Sequence, residues 1–223
     1  MIKAVIFDMY ETLITHYRSP LYFGAQIAAD AGISETVFLP RWRETEHART
    51  LGRITFEEVI ETILKENNCY TDQLFHKIVE KRIATQTECF HHLHEEIIPM
   101  LTALKERGIR IGLISNCFSE EAKIIRQSEL FPYFDVVCLS YEFGVAKPDV
   151  AIYHRCMGAL GVEAEECVYV GDGGSRELET AQRLGMCAVQ AVWYRKEGST
   201  QPSQRKHDFV QAENPMKIIN FLG

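Results

Sequence analysis

The chain has no apolar run approaching the length of a membrane span, no C-x-x-C pair among its seven cysteines, and no excess of positive charge. Each absence excludes a class. Without an unbroken stretch of about 20 apolar residues no segment reads as a transmembrane helix, and no membrane partner is expected. The cysteines at 69, 89, 117, 138, 156, 167 and 187 are scattered, several within apolar runs such as Val136-Val137-Cys138-Leu139. They read as reduced, buried thiols rather than a disulfide framework or a zinc site. A net charge of -7 argues against nucleic acid as a partner, because phosphate-backbone binding wants a basic stripe. The N-terminal apolar run is cut at Asp8, too soon for a secretory leader, so a cytoplasmic protein is expected. Repeats and low-complexity tracts are also missing, and the sequence carries no signal for oligomeric state.

What is present is an ordinary globular composition, 46% hydrophobic and 25% charged over 223 residues. That length allows one well-buried core with a subdomain inserted into it. A first strand is expected from about Lys3 to Phe7. The stretch from about His16 to Phe90 lacks strand-like runs and carries helical periodicity. Helices are predicted from Leu21 to Ala31, from Glu35 to Leu51, after Thr55 and from Thr71 to Ile83. From His94 onward helices alternate with short apolar strands, at Ile109-Ile114, Phe134-Leu139, Cys167-Val170 and Cys187-Val192. Repeated β-α units with nearly continuous apolar strands predict an α/β fold, a Rossmann-like doubly wound parallel sheet with helices on both faces.

In such sheets ligands bind beyond the carboxyl ends of the strands. Four polar signals stand there: Asp8, Ser115-Asn116, Lys147-Pro148-Asp149 and Gly171-Asp172-Gly173-Gly174. Their chemistry is complementary. Asp8 can attack an electrophile, and Asp8 with Asp172 can bind a hard divalent cation such as Mg²⁺ through oxygen. Ser115 and Asn116 offer hydroxyl and amide donors to an anionic group, while Lys147 offsets the clustered negative charge. Pro148 fits the first position of the helix that follows.

This set, in this order, resembles the haloacid dehalogenase superfamily across almost the whole chain. The resemblance implies that Asp8 is a covalent nucleophile, that Thr12 and Ser115 hold the transferred group, and that Lys147 positions and neutralises. It also implies that Asp8, Asp172 and the main-chain carbonyl of Tyr10 hold Mg²⁺. Residues 1–15 and 91–223 would form the hydrolase core and residues 16–90 a helical cap that closes over the site and sets substrate choice.

Two features depart from the phosphatases of that superfamily. They usually carry a second Asp two residues after the nucleophile to protonate the leaving group, a contribution of about 10²–10⁴ in rate, and here Tyr10 stands in that place. The superfamily's 2-haloacid dehalogenases do carry Tyr there and need no metal; they match at Asp8, Tyr10, Thr12, Ser115, Asn116 and Lys147. The fourth motif points the other way, because Gly171-Asp172 is the metal-binding form. Glu177, five residues later, is expected to hold Lys147 or metal-bound water. The reading is therefore a Mg²⁺-dependent hydrolase of a small anionic phosphate ester. A 2-haloacid dehalogenase and a non-catalytic protein that kept the fold are the alternatives.

Other features have plainer readings. Trp42-Arg43 resembles a substrate clamp of dehalogenase-like sequences, yet a packed Trp and a helix-surface Arg paired with Glu46 or His47 is the preferred reading. Arg18 is a similar candidate. His91-His92-Leu93-His94 lacks partners at ligand spacing and reads as a polar hinge. The incomplete glycine pattern at residues 171–174 does not open a first β-α-β unit, so no nucleotide cofactor is expected. Residues 196–204 read as a polar connector.

Overall fold

The architecture follows from an alternation visible along one strand. In β1 (Ala4–Phe7) every side chain is buried, with Val5 and Phe7 joining the apolar cluster on one face of the sheet and Ala4 and Ile6 the cluster on the other. A strand buried on both faces must lie inside a sheet covered by helices on both sides. A computed structural model describes residues 1–195 and 204–223 of the chain. The predicted connector at residues 196–204 lies outside them except for its last residue.

After β1 come five helices, α1 (Gly24–Ala31), α2 (Glu35–Glu44), α3 (Glu46–Thr50), α4 (Phe56–Glu66) and α5 (Asp72–Glu88). Then α6 (Ile97–Glu106), β2 (Arg110–Ser115), α7 (Ser119–Gln127), β3 (Val136–Leu139) and α8 (Ser140–Phe143) lead to α9 (Val150–Leu160). The chain continues through β4 (Cys167–Gly171), α10 (Glu177–Leu184), β5 (Cys187–Ala191) and β6 (Val210–Ala212). The strands form a six-stranded sheet in the order β3-β2-β1-β4-β5-β6, with every pairing parallel. Helices α6 and α7 pack on one face and α9 and α10 on the other.

That order places the site. The chain builds outward from β1 to β3, then returns to β4 on the opposite side of β1, so the topological switch lies at the carboxyl end of β1. The registers Phe7↔Leu113 and Phe7↔Val170 align the ends of β1, β2 and β4. Asp8 is the first residue past that end, and its amide still donates to Val170 O at 2.9 Å.

The five helices between β1 and α6 enclose an apolar cluster of their own, including Ile27, Phe38, Phe56, Ile60 and Ile78. Thr55 starts α4 with a capping box, its hydroxyl accepting from Glu58 N while Glu58 reaches back to Thr55 N. No helix among the described residues is long and apolar enough to cross a membrane.

Several boundaries differ from the sequence expectation, each for a local reason. The helix expected over 35–51 is divided at Thr45, whose hydroxyl turns back to Trp42 O at 2.9 Å. Helix α5 runs past Ile83 to Glu88 because its buried face changes from Ile78 to Arg82 and Gln86, polar residues that apolar periodicity cannot register. Pro148 does not start a helix: the Lys147-Pro148 peptide is cis, and α9 begins at Val150 with Asp149 as its cap, accepting from Ala151 N at 2.9 Å. The helix expected from Ser175 begins at Glu177, after left-handed residues at Gly173, Ser175 and Arg176. Strand β6 and the short α8 were not expected at all.

Candidate active site

Four loops at the carboxyl edge of the sheet converge on Lys147. Its ammonium donates to Asp8 Oδ1 at 2.6 Å and also contacts the Glu177 carboxylate. Burial opposes its charge, but Asp8 and Glu177 together hold Lys147 above its usual value and keep it protonated. The loop carrying it is fixed from β2. Lys147 N donates to Asn116 Oδ1 at 2.8 Å, and Asn116 Nδ2 donates back to Lys147 O at 3.0 Å. The Asn116 amide also reaches Ser175 Oγ at 3.4 Å. The side chain expected to bind an anionic group is thus used to hold the lysine loop.

Glu177, wholly buried at the start of α10, has both oxygens engaged. Gly173 N donates to Oε1 at 3.2 Å, while Tyr169 Oη (3.1 Å) and Lys147 reach Oε2. Burial, and then the charge of Asp8, push its carboxyl up to about 8. Burial also raises Asp8 above the ordinary carboxylate value, with Asp172 adding to the rise and Lys147 opposing it. Asp172 follows β4 and accepts from Gly174 N at 2.8 Å.

Carboxylate oxygens of Asp8, Asp172 and Glu177 lie within 4.8 Å of one another, the one such acidic group found among the described residues. Two of these residues, Asp8 and Asp172, fit a hard divalent cation. Their mutual repulsion is part of what lifts Asp8, and a cation between them would remove it. Glu177, with its oxygens given to Lys147, Tyr169 and Gly173, fits a supporting place behind them.

Thr12 follows β1 and Ser115 ends β2; both are fully buried and neither lines the cavity over this cluster. The Thr12 hydroxyl has no hydrogen-bond partner among the described residues, and the Ser115 hydroxyl has one long contact, 3.5 Å to Asn116 O. Both are donors held without strong internal partners. Tyr10 stacks on His16, ring centroids 4.8 Å apart and planes 10° from parallel. Burial, followed by the charge of Glu121, raises its phenol well above the usual value, which makes it a poor acid for a leaving group.

A cavity of about 440 Å³ opens over these groups, lined by Asp8, Tyr10, Asn116, Lys147, Asp172 and Glu177 and, further out, by residues of the helical segment and of α7. Several outer residues escaped sequence reasoning. Arg82 of α5, fully buried, donates to Glu120 Oε1 at 3.0 Å and Glu121 Oε1 at 2.7 Å on α7. Its partners lie 38 and 39 residues away, so no local spacing marks them. Arg49 is buried between the rings of Trp42 and Phe118, at 3.6 and 4.2 Å from their centroids. Trp42 packs as expected, but Arg43 is exposed and forms no ion pair among the described residues; Arg41 makes the pairs, with Glu44 and Glu66. Arg18 lies over the Tyr194 ring, away from the cavity. His91 and His92 both contact Glu88 on the surface.

The model of the haloacid dehalogenase-like hydrolase family matches residues 2–185, and the chain belongs to that family of hydrolases. Among curated relatives, a glyceraldehyde 3-phosphate phosphatase of Methanopyrus kandleri is 30% identical over 85% of this chain and 84% of its own. A phosphoglycolate phosphatase of Aquifex aeolicus is 25% identical over 86% and 85%. Among solved structures, a phosphatase of the same superfamily from Thermococcus onnurineus superposes with a TM-score of 0.69 at 22% identity, covering 100% of this chain and 98% of its own. A 2-haloacid dehalogenase from Pseudomonas syringae pv. Tomato DC3000 gives 0.66 at 21%, covering 99% and 97%. The fold is thus shared by phosphatases and dehalogenases alike.

Proposed function

We propose that the protein is a Mg²⁺-dependent phosphohydrolase acting on a small phosphorylated metabolite through a phosphoryl group carried transiently on Asp8. The observation that carries this reading is the second carboxylate. Asp172 stands within ligand distance of Asp8, where displacement of halide has no use for a further negative charge. The phosphatase names of relatives spanning most of the chain support the same choice.

Asp8 attacks phosphorus and the ester oxygen departs; water then attacks phosphorus, returning the free carboxylate and inorganic phosphate. Lys147 holds the attacking carboxylate in place and balances negative charge as it moves onto the phosphoryl oxygens. The Thr12 and Ser115 hydroxyls donate to those oxygens. A magnesium ion held by Asp8, Asp172 and the Tyr10 carbonyl would supply the remaining charge neutralisation. The helices of residues 16–90 act as the cap that covers the cavity. Tyr10 leaves the departing oxygen without a carboxylic acid, so activated esters turn over fastest.

Tyr10 is also the feature that favours dehalogenation as the second reading. The two separate in one panel: phosphate release from p-nitrophenyl phosphate and acyl phosphates, with Mg²⁺ or EDTA, beside chloride release from 2-chloropropionate, with Asp8→Asn as control. Phosphate release that EDTA abolishes is expected. Chloride release insensitive to EDTA overturns the proposal.

A further inference from the structure

A buried amide outside the catalytic cluster holds the loop that carries Asp172. Gln190, in β5, is the register partner of Gly171 at the end of β4. Its side chain is buried, and every group on it that can hydrogen-bond is engaged. Nε2 donates to Asp172 O and to Gln204 O, each at 2.8 Å. Oε1 accepts from Lys206 N at 2.8 Å and from Gln211 Nε2 at 3.4 Å. These partners leave one orientation for the amide, since turning it over would set its oxygen against two carbonyl oxygens.

The loop after Asp172 fits against the same residues. Gly173 has a φ of 96°, and a Cβ there would lie 2.9 Å from Lys206 Cε and 3.2 Å from Gln190 Nε2. The Lys206 ammonium in turn pairs with Glu179 of α10, the helix that begins at Glu177. Through Gln190 on one side and Lys206 on the other, residues 204–211 are bonded to both ends of the turn between β4 and α10. Gln190 and this segment lie past residue 185, where the match to the hydrolase family ends.

A hard cation binds tightly where its oxygen ligands are already held at the right spacing. Asp8 is held by its backbone bond to Val170 and by Lys147. Asp172 stands one residue beyond β4, in a turn containing two glycines, so its place depends on what grips its main chain. We infer, on the basis of the phosphohydrolase reading above, that Gln190 is a positioning residue for the divalent cation: by fixing the Asp172 carbonyl it keeps the Asp172 carboxylate within ligand reach of Asp8. Without that bond the repulsion between the two carboxylates moves the loop outward, and binding an ion has to reorder it.

The test is Mg²⁺ binding to the full chain by titration calorimetry, with thermal melts to establish that each variant is folded. Gln190→Met keeps the length of the side chain but cannot bond to Asp172 O, and Gln190→Asn keeps an amide one methylene too short to meet the same partners; if the first does not fold, the second decides. Each is expected to raise the Mg²⁺ dissociation constant by about tenfold or more, as for loss of a group that orients a metal ligand. In phosphate-release assays the Mg²⁺ concentration giving half-maximal rate should rise while kcat at saturating Mg²⁺ stays near the wild-type value, a split that a merely structural role would not produce. Val189→Ala, one residue earlier and in the apolar cluster on the opposite face, is the control: it should lower Tm and leave Mg²⁺ affinity unchanged. Wild-type affinity in the folded Gln190 variants, or an equal loss in Val189→Ala, overturns the inference while leaving the phosphohydrolase reading standing. A wild type that neither binds Mg²⁺ nor releases phosphate from p-nitrophenyl phosphate overturns both.

Discussion

The carboxylate of Glu177 occupies the space left by the missing side chain of Gly171: a Cβ at position 171 would collide with Glu177 Oε1. This fit lets a glutamate, a methylene longer than aspartate, fold back beneath the end of β4 and meet Lys147, Tyr169 and Gly173 N together. Gly171→Ala should destabilise the protein by about 1–3 kcal/mol and lower kcat, because the displaced carboxylate no longer holds Lys147 against Asp8. Adding Glu177→Asp shortens the intruding group and should recover part of both losses. Thermal melts and phosphate-release assays on the two variants check this, and a double variant no better than Gly171→Ala would contradict it.

Arg82 joins the helical segment to the sheet-covering helix α7 by a desolvated pair of bonds. Arg82→Met leaves Glu120 and Glu121 buried without their hydrogen-bonded ion-pair partner and should cost about 3–5 kcal/mol. The triple change Arg82→Met, Glu120→Gln, Glu121→Gln should regain most of that in chemical denaturation, since removing all the charges removes the desolvation cost.

Much of this could be read from the sequence, and what could not has physical causes. The strands of the core were legible because burial on both faces leaves an uninterrupted apolar run, and the four loop signals because each follows such a run directly. Strand β6 was not, being three residues at the sheet edge with Val210 exposed. The longer reach of α5 was hidden because Arg82 and Gln86 face inward. Asn116 was visible as a polar residue at a strand end, but its bonding to Lys147 depends on a loop 31 residues away.

The raised Asp8 carboxyl gives a pH dependence of definite sign. Burial and Asp172 make ionisation harder in the folded protein than in the unfolded chain. The stability Asp8 contributes is then complete below its unfolded value and is lost as pH rises through its higher folded value. Asn at this position cannot ionise. In buffer containing EDTA, Asp8→Asn should therefore gain in Tm relative to wild type as pH is raised from about 4 to 7, with little difference at the acidic end. A difference that is flat or shrinks over that range would contradict the assignment.

Tyr10 can be replaced by the acid it displaces. Tyr10→Asp introduces a carboxyl group two residues after the nucleophile, where it can protonate a poor leaving group. Turnover of alkyl phosphates should rise relative to p-nitrophenyl phosphate by at least about tenfold, within the range of about 10²–10⁴ that general acids supply. A variant that alters both substrates equally would show that leaving-group protonation is not what limits the wild type.

The central claim, that Asp8 carries a phosphoryl group and not an alkyl ester, is tested most directly by a single turnover in water enriched in heavy oxygen. Enzyme in excess over p-nitrophenyl phosphate and Mg²⁺ is allowed to react once, and the released phosphate and the peptide containing Asp8 are weighed by mass spectrometry. Acid quenching within the turnover gives an Asp8 peptide heavier by one phosphoryl group, and the label appears in the released phosphate because water attacks phosphorus, which is the predicted result. An Asp8 peptide of unchanged mass at every quench time, or phosphate released equally well by Asp8→Asn, would contradict it.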